Sequence, residues 1–146
     1  MIAYVDSSVL ARAYLADEPG HDDAAALLDD SAIALITGTW TRIEGAGALV
    51  RAARAGRGDK AGLLNVLEPD LGSDGPVTVV AAEQREVEDR AFGLVREHGI
   101  RARDAWHLAV ATLSSPSLVE PGEPAGFASR DEAQAEVAAQ LGLQLL

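Results

Sequence analysis

Apolar runs and stretches of helical periodicity alternate along the chain, beginning with the apolar run Ile2–Val5, which stops at Asp6-Ser7-Ser8. Apolar residues then recur at helical spacing, so the pattern predicts a strand, a turn and a helix, with Ser7 or Ser8 capping the helix. The same pattern predicts strands at 32–37, 77–81, 127–129 and 143–146. It predicts further helices at 21–30, 39–55, 60–67, 83–98, 103–113 and 132–141.

Two segments between these elements are rich in turn-forming residues. Residues 68–76 are expected to form a turn region, and residues 114–126, with three prolines and two glycines, are expected to form a mobile loop. Strands that alternate with helices predict a parallel sheet covered on both faces. We therefore expect an α/β fold, a three-layer α/β/α sandwich with a mostly parallel sheet, in one domain over residues 1–146.

The composition limits which metal ligands, cellular locations and partners are expected. The chain has no cysteine, which excludes disulfides and thiolate ligands, so any metal site should use hard oxygen ligands or imidazole. No basic leader precedes the first strand and no run is long enough to span a bilayer, so a cytoplasmic protein without membrane contact is expected. The net charge of −11 argues against a nucleic-acid partner unless the arginines gather away from the excess acid.

Two aspartates directly follow predicted strands. Asp6 ends the first strand, and Asp131 lies just beyond the strand at 127–129. Ligands of parallel sheets bind at the carboxyl ends of strands, so these carboxylates would converge if the two strands are neighbours. The alternative is that each merely caps the helix that follows it.

The predicted helix 103–113 is apolar almost all round and must be buried, yet it carries Asp104 and His107 three residues apart. A buried ionised aspartate is costly unless it is paired or bound to a metal, so Asp104 is interpreted as functional. His107 is interpreted as a core histidine with satisfied hydrogen bonds. Glu44 lies on helix 39–55 beside Gly47 and Ala48, which leave room for its carboxylate to reach a site, although a helical glutamate is usually a solvated charge.

Arginines could supply the positive charge that a phosphate substrate needs. Arg42, Arg51, Arg54 and Arg57 come from one helix and its end, and Arg103 and Arg130 stand beside candidate acids. Each could equally be an ordinary solvated arginine.

Four segments resemble the PIN-domain nucleases, and among them the VapC-type toxins of bacterial toxin–antitoxin systems. The segments are YVDSSVLARAYL, TWTRIEGAGALVRA, RARDAWHLAVA and FASRDEAQAEVAAQLGL, and the third is the most specific. The resemblance covers essentially the whole chain.

This resemblance implies a metal-dependent endoribonuclease. Asp6, Glu44, Asp104 and Asp131 would form an acidic quartet that holds Mg²⁺ or Mn²⁺, supported by His107 and by Ser7 and Ser129, which stand where the family often has threonine. It also implies an RNA substrate, a homodimer and a cognate antitoxin whose basic tail lies over the acidic groove.

Two alternatives to the nuclease remain open. A phosphatase-type hydrolase would use Asp6 as its nucleophile, but the position two residues on is Ser8, and Lys60 is the only lysine. A binding module that has lost catalysis would engage only a partner protein, although the presence of all four acids argues against it.

Overall fold

The central sheet of the computed structural model, which describes residues 1–146, contains five strands that are all parallel. The strands are β1 (Ile2–Val5), β2 (Ala34–Gly38), β3 (Val77–Val80), β4 (Gly126–Ala128) and β5 (Gln144–Leu145). Their order across the sheet is β3-β2-β1-β4-β5, so β1 is the central strand.

Seven helices connect the strands. They are α1 (Ser7–Tyr14), α2 (His21–Asp29), α3 (Trp40–Arg54), α4 (Lys60–Asp70), α5 (Gln84–His98), α6 (Ala102–Ser114) and α7 (Glu132–Gln140). One turn of 3₁₀ helix, Ser115–Ser117, follows α6. None of the helices combines the length and the apolar character that crossing a bilayer would require.

The helices pack in two layers, one on each face of the sheet. Ala3 and Val5 of β1 join a core with residues of α1, α2, α3 and α4, whereas Tyr4 between them joins a second core with α5, α6 and α7. Successive side chains of a strand point to opposite faces, so an unbroken apolar strand supplies both cores. The predicted three-layer α/β/α sandwich is confirmed.

The strand order brings three loops together at one edge of the sheet. β1 pairs with β2 on one side and with β4 on the other, and Val5 lies opposite Ala128. Asp6 therefore follows β1 next to Ser129, which follows β4, while α3 begins beside them after β2. The carboxyl ends of these strands are where a parallel sheet forms ligand sites.

Some predicted boundaries were wrong. β2 begins and ends later than predicted, and α4 continues through Pro69 to Asp70 although residues 68–76 were predicted to be turns. Pro69 has no N–H to donate to the carbonyl four residues earlier, so α4 lacks one backbone bond in its last turn, and Asp70 after it accepts a hydrogen bond of 2.6 Å from Tyr14 of α1. The predicted loop 114–126 is shorter at both ends, where α6, the 3₁₀ turn and β4 take its residues. Its mobility stays a prediction.

Candidate active site

A cleft of about 820 Å³ lies at the carboxyl ends of β1, β2 and β4. All four predicted acids line it: Asp6, Glu44, Asp104 and Asp131. They come from four separate elements of the fold, which the sheet topology brings together.

Ser8 and Ser129 contact the two carboxylate oxygens of Asp6. Oδ1 accepts bonds from the backbone N–H of Ser8 at 2.6 Å and from the hydroxyl of Ser8, and the hydroxyl of Ser129 lies 3.1 Å from Oδ2. Asp6 itself is thus the N-cap of α1, and the prediction that Ser7 or Ser8 caps this helix was wrong. An aspartate has the more favourable reach here because it directly precedes the first helical residue.

Asp131 also caps a helix, as the alternative interpretation of the sequence had it. Its Oδ1 accepts the backbone N–H of Gln134 at 3.1 Å, and this leaves Oδ2 without a protein hydrogen bond. Capping and ligand binding are therefore compatible at this residue, because a carboxylate has two oxygens.

Gln134 is a site residue that the sequence reasoning missed. It is fully buried, its Oε1 lies 2.6 Å from the Ser129 hydroxyl, and its Nε2 donates to the backbone carbonyl of Asp104 at 3.2 Å. The amide thus ties α7 to α6 beneath the cleft. The available signal was a glutamine at helical spacing from the buried Val137 and Ala138.

Asp104 lies on the buried helix, as predicted, with a side chain only 7% exposed. Burial raises the pKa of this carboxyl; Arg103, whose Nε lies 3.6 Å from Oδ1, opposes the rise, and the negative charges of Asp131 and Asp6 add to it. The three aspartates are therefore close enough to repel one another. A cation between them would relieve that repulsion.

Glu44 is turned toward α1 and α6. Its Oε2 accepts a hydrogen bond of 2.6 Å from the hydroxyl of Ser7 and lies 3.0 Å from Nε2 of His107. Although burial alone would raise the pKa of Glu44, the hydrogen bonds from His107 and Ser7 outweigh it, and the pKa is lowered. The alternative weighed for Glu44, a solvated surface charge, is therefore wrong, because its side chain is only 16% exposed.

His107 is a buried core histidine, as interpreted from the sequence, and both of its ring nitrogens have partners. Its Nδ1 lies 2.7 Å from the hydroxyl of Tyr4, which the sequence reasoning also missed because Tyr4 looks like any apolar strand residue. Burial raises the pKa of the Tyr4 hydroxyl well above its ordinary value, so it stays protonated.

Five arginines face the carboxylates across the cleft. They are Arg12, Arg51, Arg57, Arg103 and Arg130. Counting Glu18 with the four acids, five carboxylates line the same cleft, so the whole net charge of −11 arises outside it. The cleft is therefore electrically balanced, whereas the rest of the chain is strongly acidic.

The arginines differ in how far they are already engaged. Arg51 forms no ion pair, and Nε of Arg130 is buried without a hydrogen-bond partner. Arg57 is engaged by Asp17 at 2.8 Å and by Glu18 at 2.6 Å.

The structure does not bring two of the predicted arginines into the cleft. Arg42 lies outside it and forms a bidentate pair with Glu68, with the closest oxygen at 2.9 Å. Arg54, from the last turn of α3, is also absent from its lining. Both lie on α3, where a helix turns successive side chains toward different neighbours.

The donor chemistry of the cleft fits a hard divalent cation, since carboxylate and hydroxyl oxygens are what Mg²⁺ and Mn²⁺ prefer. In this structure no three Asp, Glu or His side chains lie close enough together to coordinate one metal ion. Hydrogen bonds hold Asp6, Asp131 and Glu44 at the positions described above. A role of these acids as metal ligands therefore stays a prediction.

Fold and site together define an α/β protein with a parallel sheet and, at its carboxyl edge, a cleft lined by equal numbers of carboxylates and arginines. The sequence profile described as the PIN domain matches residues 3–140, and the chain belongs to that family. No curated protein sequence matches the chain closely enough to count as a relative.

Solved structures share the fold at low sequence identity. VapBC2 from Rickettsia felis, bound to a DNA fragment from its promoter, has a TM-score of 0.63 and 11% identity over 100% of this chain and 98% of that chain. PAE2754 from Pyrobaculum aerophilum has a TM-score of 0.61 and 20% identity over 99% of this chain and 83% of that chain. VapBC-1 from nontypeable Haemophilus influenzae has a TM-score of 0.59 and 14% identity over 100% of this chain and 97% of that chain.

Proposed function

We propose that the protein is a metal-dependent endoribonuclease and the toxin of a toxin–antitoxin pair. The observation that carries the proposal is the cleft itself, where four acids from four separate elements of a PIN-domain fold share the lining with five arginines. A cleft with this balance suits a cation together with a phosphate backbone.

Asp6, Asp104 and Asp131 would hold Mg²⁺ or Mn²⁺, with Glu44 completing the set directly or through water. The bound cation would supply Lewis-acid chemistry, lowering the pKa of water and neutralising charge on the phosphodiester. Burial raises the pKa of Asp104 and the negative charges of Asp131 and Asp6 add to the rise, which supports this assignment because a bound cation stabilises the ionised form of such a carboxyl.

Arg51, Arg103 and Arg130 would bind the phosphates of an RNA strand that enters the cleft. The absence of an ion pair on Arg51 and the unpartnered Nε of Arg130 support this, because a guanidinium binds phosphate with N–H groups that are not already engaged. Ser7 and Ser129 would hold the carboxylates, since their hydroxyls contact Glu44 and Asp6.

An antitoxin protein and a second copy of the chain are the proposed partners. Two of the structures that share the fold are VapBC assemblies. The acidic surface outside the cleft would suit a basic antitoxin segment. Cellular RNA lies in the cytoplasm, which is the proposed location. Size-exclusion chromatography of the chain, alone and with the product of a neighbouring gene, tests these partners: a chain that stays monomeric and partnerless contradicts them.

The alternative hydrolase is disfavoured by the contacts of Asp6. That chemistry would want a second aspartate two residues after the nucleophile, but this position is Ser8, whose hydroxyl donates to Oδ1 of Asp6. Lys60 begins α4 and does not line the cleft. A binding module without catalysis remains the competing function, and the experiment below separates the two.

The test is cleavage of single-stranded RNA by purified, antitoxin-free protein with Mg²⁺, with Mn²⁺ and with EDTA. Asp104→Asn should abolish cutting, whereas Asp59→Asn, which changes an exposed helix cap outside the cleft, should cut like the wild type because asparagine caps equally well. Fragments that require metal and Asp104 support the nuclease. A folded wild type that cuts under no condition supports the binding module.

A further inference from the structure

A continuous chain of hydrogen bonds runs from the backbone of β2 through the core to the cleft. The N–H of Gly38 donates to the hydroxyl of Tyr4 at 3.0 Å, and that hydroxyl lies 2.7 Å from Nδ1 of His107. Nε2 of His107 lies 3.0 Å from Oε2 of Glu44, which also accepts from Ser7. Four elements, β2, β1, α6 and α3, are thus joined by consecutive hydrogen bonds.

The direction of the protons follows from the two partners of the His107 ring. An ionised Glu44 can only accept, so Nε2 of His107 carries the proton that is donated to Oε2. Nδ1 then accepts, and the Tyr4 hydroxyl, whose oxygen already accepts the N–H of Gly38, donates its proton to Nδ1. The hydroxyl at one end and the carboxylate at the other therefore favour the same tautomer.

The fold fixes the position of this hydroxyl. Tyr4 is completely buried, and its ring stacks on Phe127 with centroids 5.6 Å apart and planes within 5°. A Cβ at Gly38 would come within 2.8 Å of the hydroxyl, so the glycine leaves room for the contact. The Tyr4 oxygen therefore has little freedom to move away from His107.

The chain leaves one oxygen of Glu44 available. Both the His107 and the Ser7 bonds end on Oε2, and Oε1 accepts no hydrogen bond from the protein. Fixing one oxygen orients the other, in the way that partners of metal ligands usually orient them.

We propose that Tyr4 is a positioning residue, which holds His107 in its Nε2–H tautomer and thereby fixes Glu44 with Oε1 presented to the cation. This inference rests on the proposed function, since it assigns the cleft a cation. It adds two residues, Tyr4 and Gly38, that lie in the core and not in the lining of the cleft.

The experiment compares Tyr4→Phe with Tyr14→Phe. These are the only two tyrosines, and the Tyr14 hydroxyl donates a partly buried hydrogen bond to Asp70 outside the cleft, so the two variants lose the same atom at different places. The first readout is the ¹⁵N spectrum of the histidine rings in metal-free protein, where the chain has only three histidines to assign. The second is Mn²⁺ affinity by electron paramagnetic resonance.

The expected results are specific to the tautomer. Wild type and Tyr14→Phe should show His107 as the Nε2–H form, and Tyr4→Phe should show a mixture of forms. Tyr4→Phe should also bind Mn²⁺ about 10-fold or more weakly, the usual effect of losing an outer partner of a metal site. A wild-type His107 in the Nδ1–H form, or a folded Tyr4→Phe with wild-type Mn²⁺ affinity, would overturn the inference.

A second pair keeps the test decisive if Tyr4→Phe does not fold. His107→Gln retains an N–H donor for Glu44, whereas His107→Leu retains the bulk without a donor, so Gln should preserve Mn²⁺ affinity better than Leu. Equal affinities in the two variants would contradict the positioning role. A wild type that binds no Mn²⁺ would instead overturn the proposed function, and the positioning role with it, whatever tautomer the spectrum shows.

Discussion

Gly38 is the last residue of β2, and the structure predicts that it cannot carry a side chain without cost. A Cβ placed there would lie 2.7 Å from two ring carbons of Trp106 and 2.8 Å from the hydroxyl of Tyr4. Real carbon atoms do not approach this closely, so Gly38→Ala must push α6 or β1 away. A shift of Trp106 would also disturb its stacking on Trp40, whose ring centroid lies 4.6 Å away.

Two opposing effects set the magnitude. Replacing a glycine whose backbone φ is not positive stabilises the fold by about 0.4–1 kcal/mol through the unfolded chain. Overpacking a filled core costs about 1–3 kcal/mol. Displacing the Tyr4 hydroxyl also weakens its bond from the Gly38 N–H, worth about 1 kcal/mol. We expect a net loss of about 1–3 kcal/mol, which lowers the melting temperature of a chain of this size by about 2–10 °C.

The assay is urea denaturation, followed by fluorescence of the two tryptophans, with thermal unfolding alongside. Gly93→Ala is the matched control, because Gly93 lies in α5 and a Cβ there meets nothing within 4 Å. It should stabilise the protein by about 0.5–1 kcal/mol, as alanine does in an exposed helix. A Gly38→Ala protein as stable as the wild type would refute the packing argument.

Further predictions concern the cleft. The raised pKa of Asp104 means that the metal-free fold favours the protonated carboxyl over the ionised one. The stability that the protonated form contributes is therefore present at low pH and is lost as the pH rises through the raised pKa. Asp104→Asn should therefore stabilise the protein in EDTA at neutral pH, measured by urea denaturation, and an unchanged or lower stability contradicts this. Protonation of Asp104 also competes with the cation. As the pH is lowered, Mn²⁺ affinity should therefore begin to fall while the pH is still above the ordinary range of aspartate pKa values, which Mn²⁺ titrations at several pH values would measure. Arg51→Ala should weaken RNA binding and reduce the slope of log K against log salt concentration by roughly 0.7 per lost phosphate contact. Arg42→Ala, which lies outside the cleft, should change neither quantity. Equal effects of the two variants in fluorescence anisotropy would count against the assignment.

The fold was predictable because its signals are local. The apolar run of β1 and the near-complete apolar surface of α6 specify buried elements without reference to the rest of the chain. Boundaries were less predictable where tertiary contacts decide them. Pro69 predicts the end of a helix, but α4 continues one residue beyond it, where Asp70 receives the hydroxyl of Tyr14.

The acids that line the cleft were predictable from position, but the partners that hold them were not. Asp6 and Asp131 follow strands that proved to be neighbours. Tyr4 contacts His107, which lies 103 positions away in the sequence, and no sequence pattern encodes such a pair. Gln134 contacts Ser129, which lies only 5 positions away. Arg42 lies on the same helix as Arg51, and only the packing against α4 separates a paired surface arginine from one that faces the cleft.

The most direct measurement of the central claim is a crystal structure of the protein with Mn²⁺, in which anomalous scattering locates the ion. We predict a single strong site in the cleft, with oxygens of Asp6 and Asp104 among its ligands, and its loss in Asp104→Asn. Crystals of well-folded protein at saturating Mn²⁺ with no ion in the cleft, or with an ion bound only elsewhere, would contradict the assignment of these carboxylates as a metal centre.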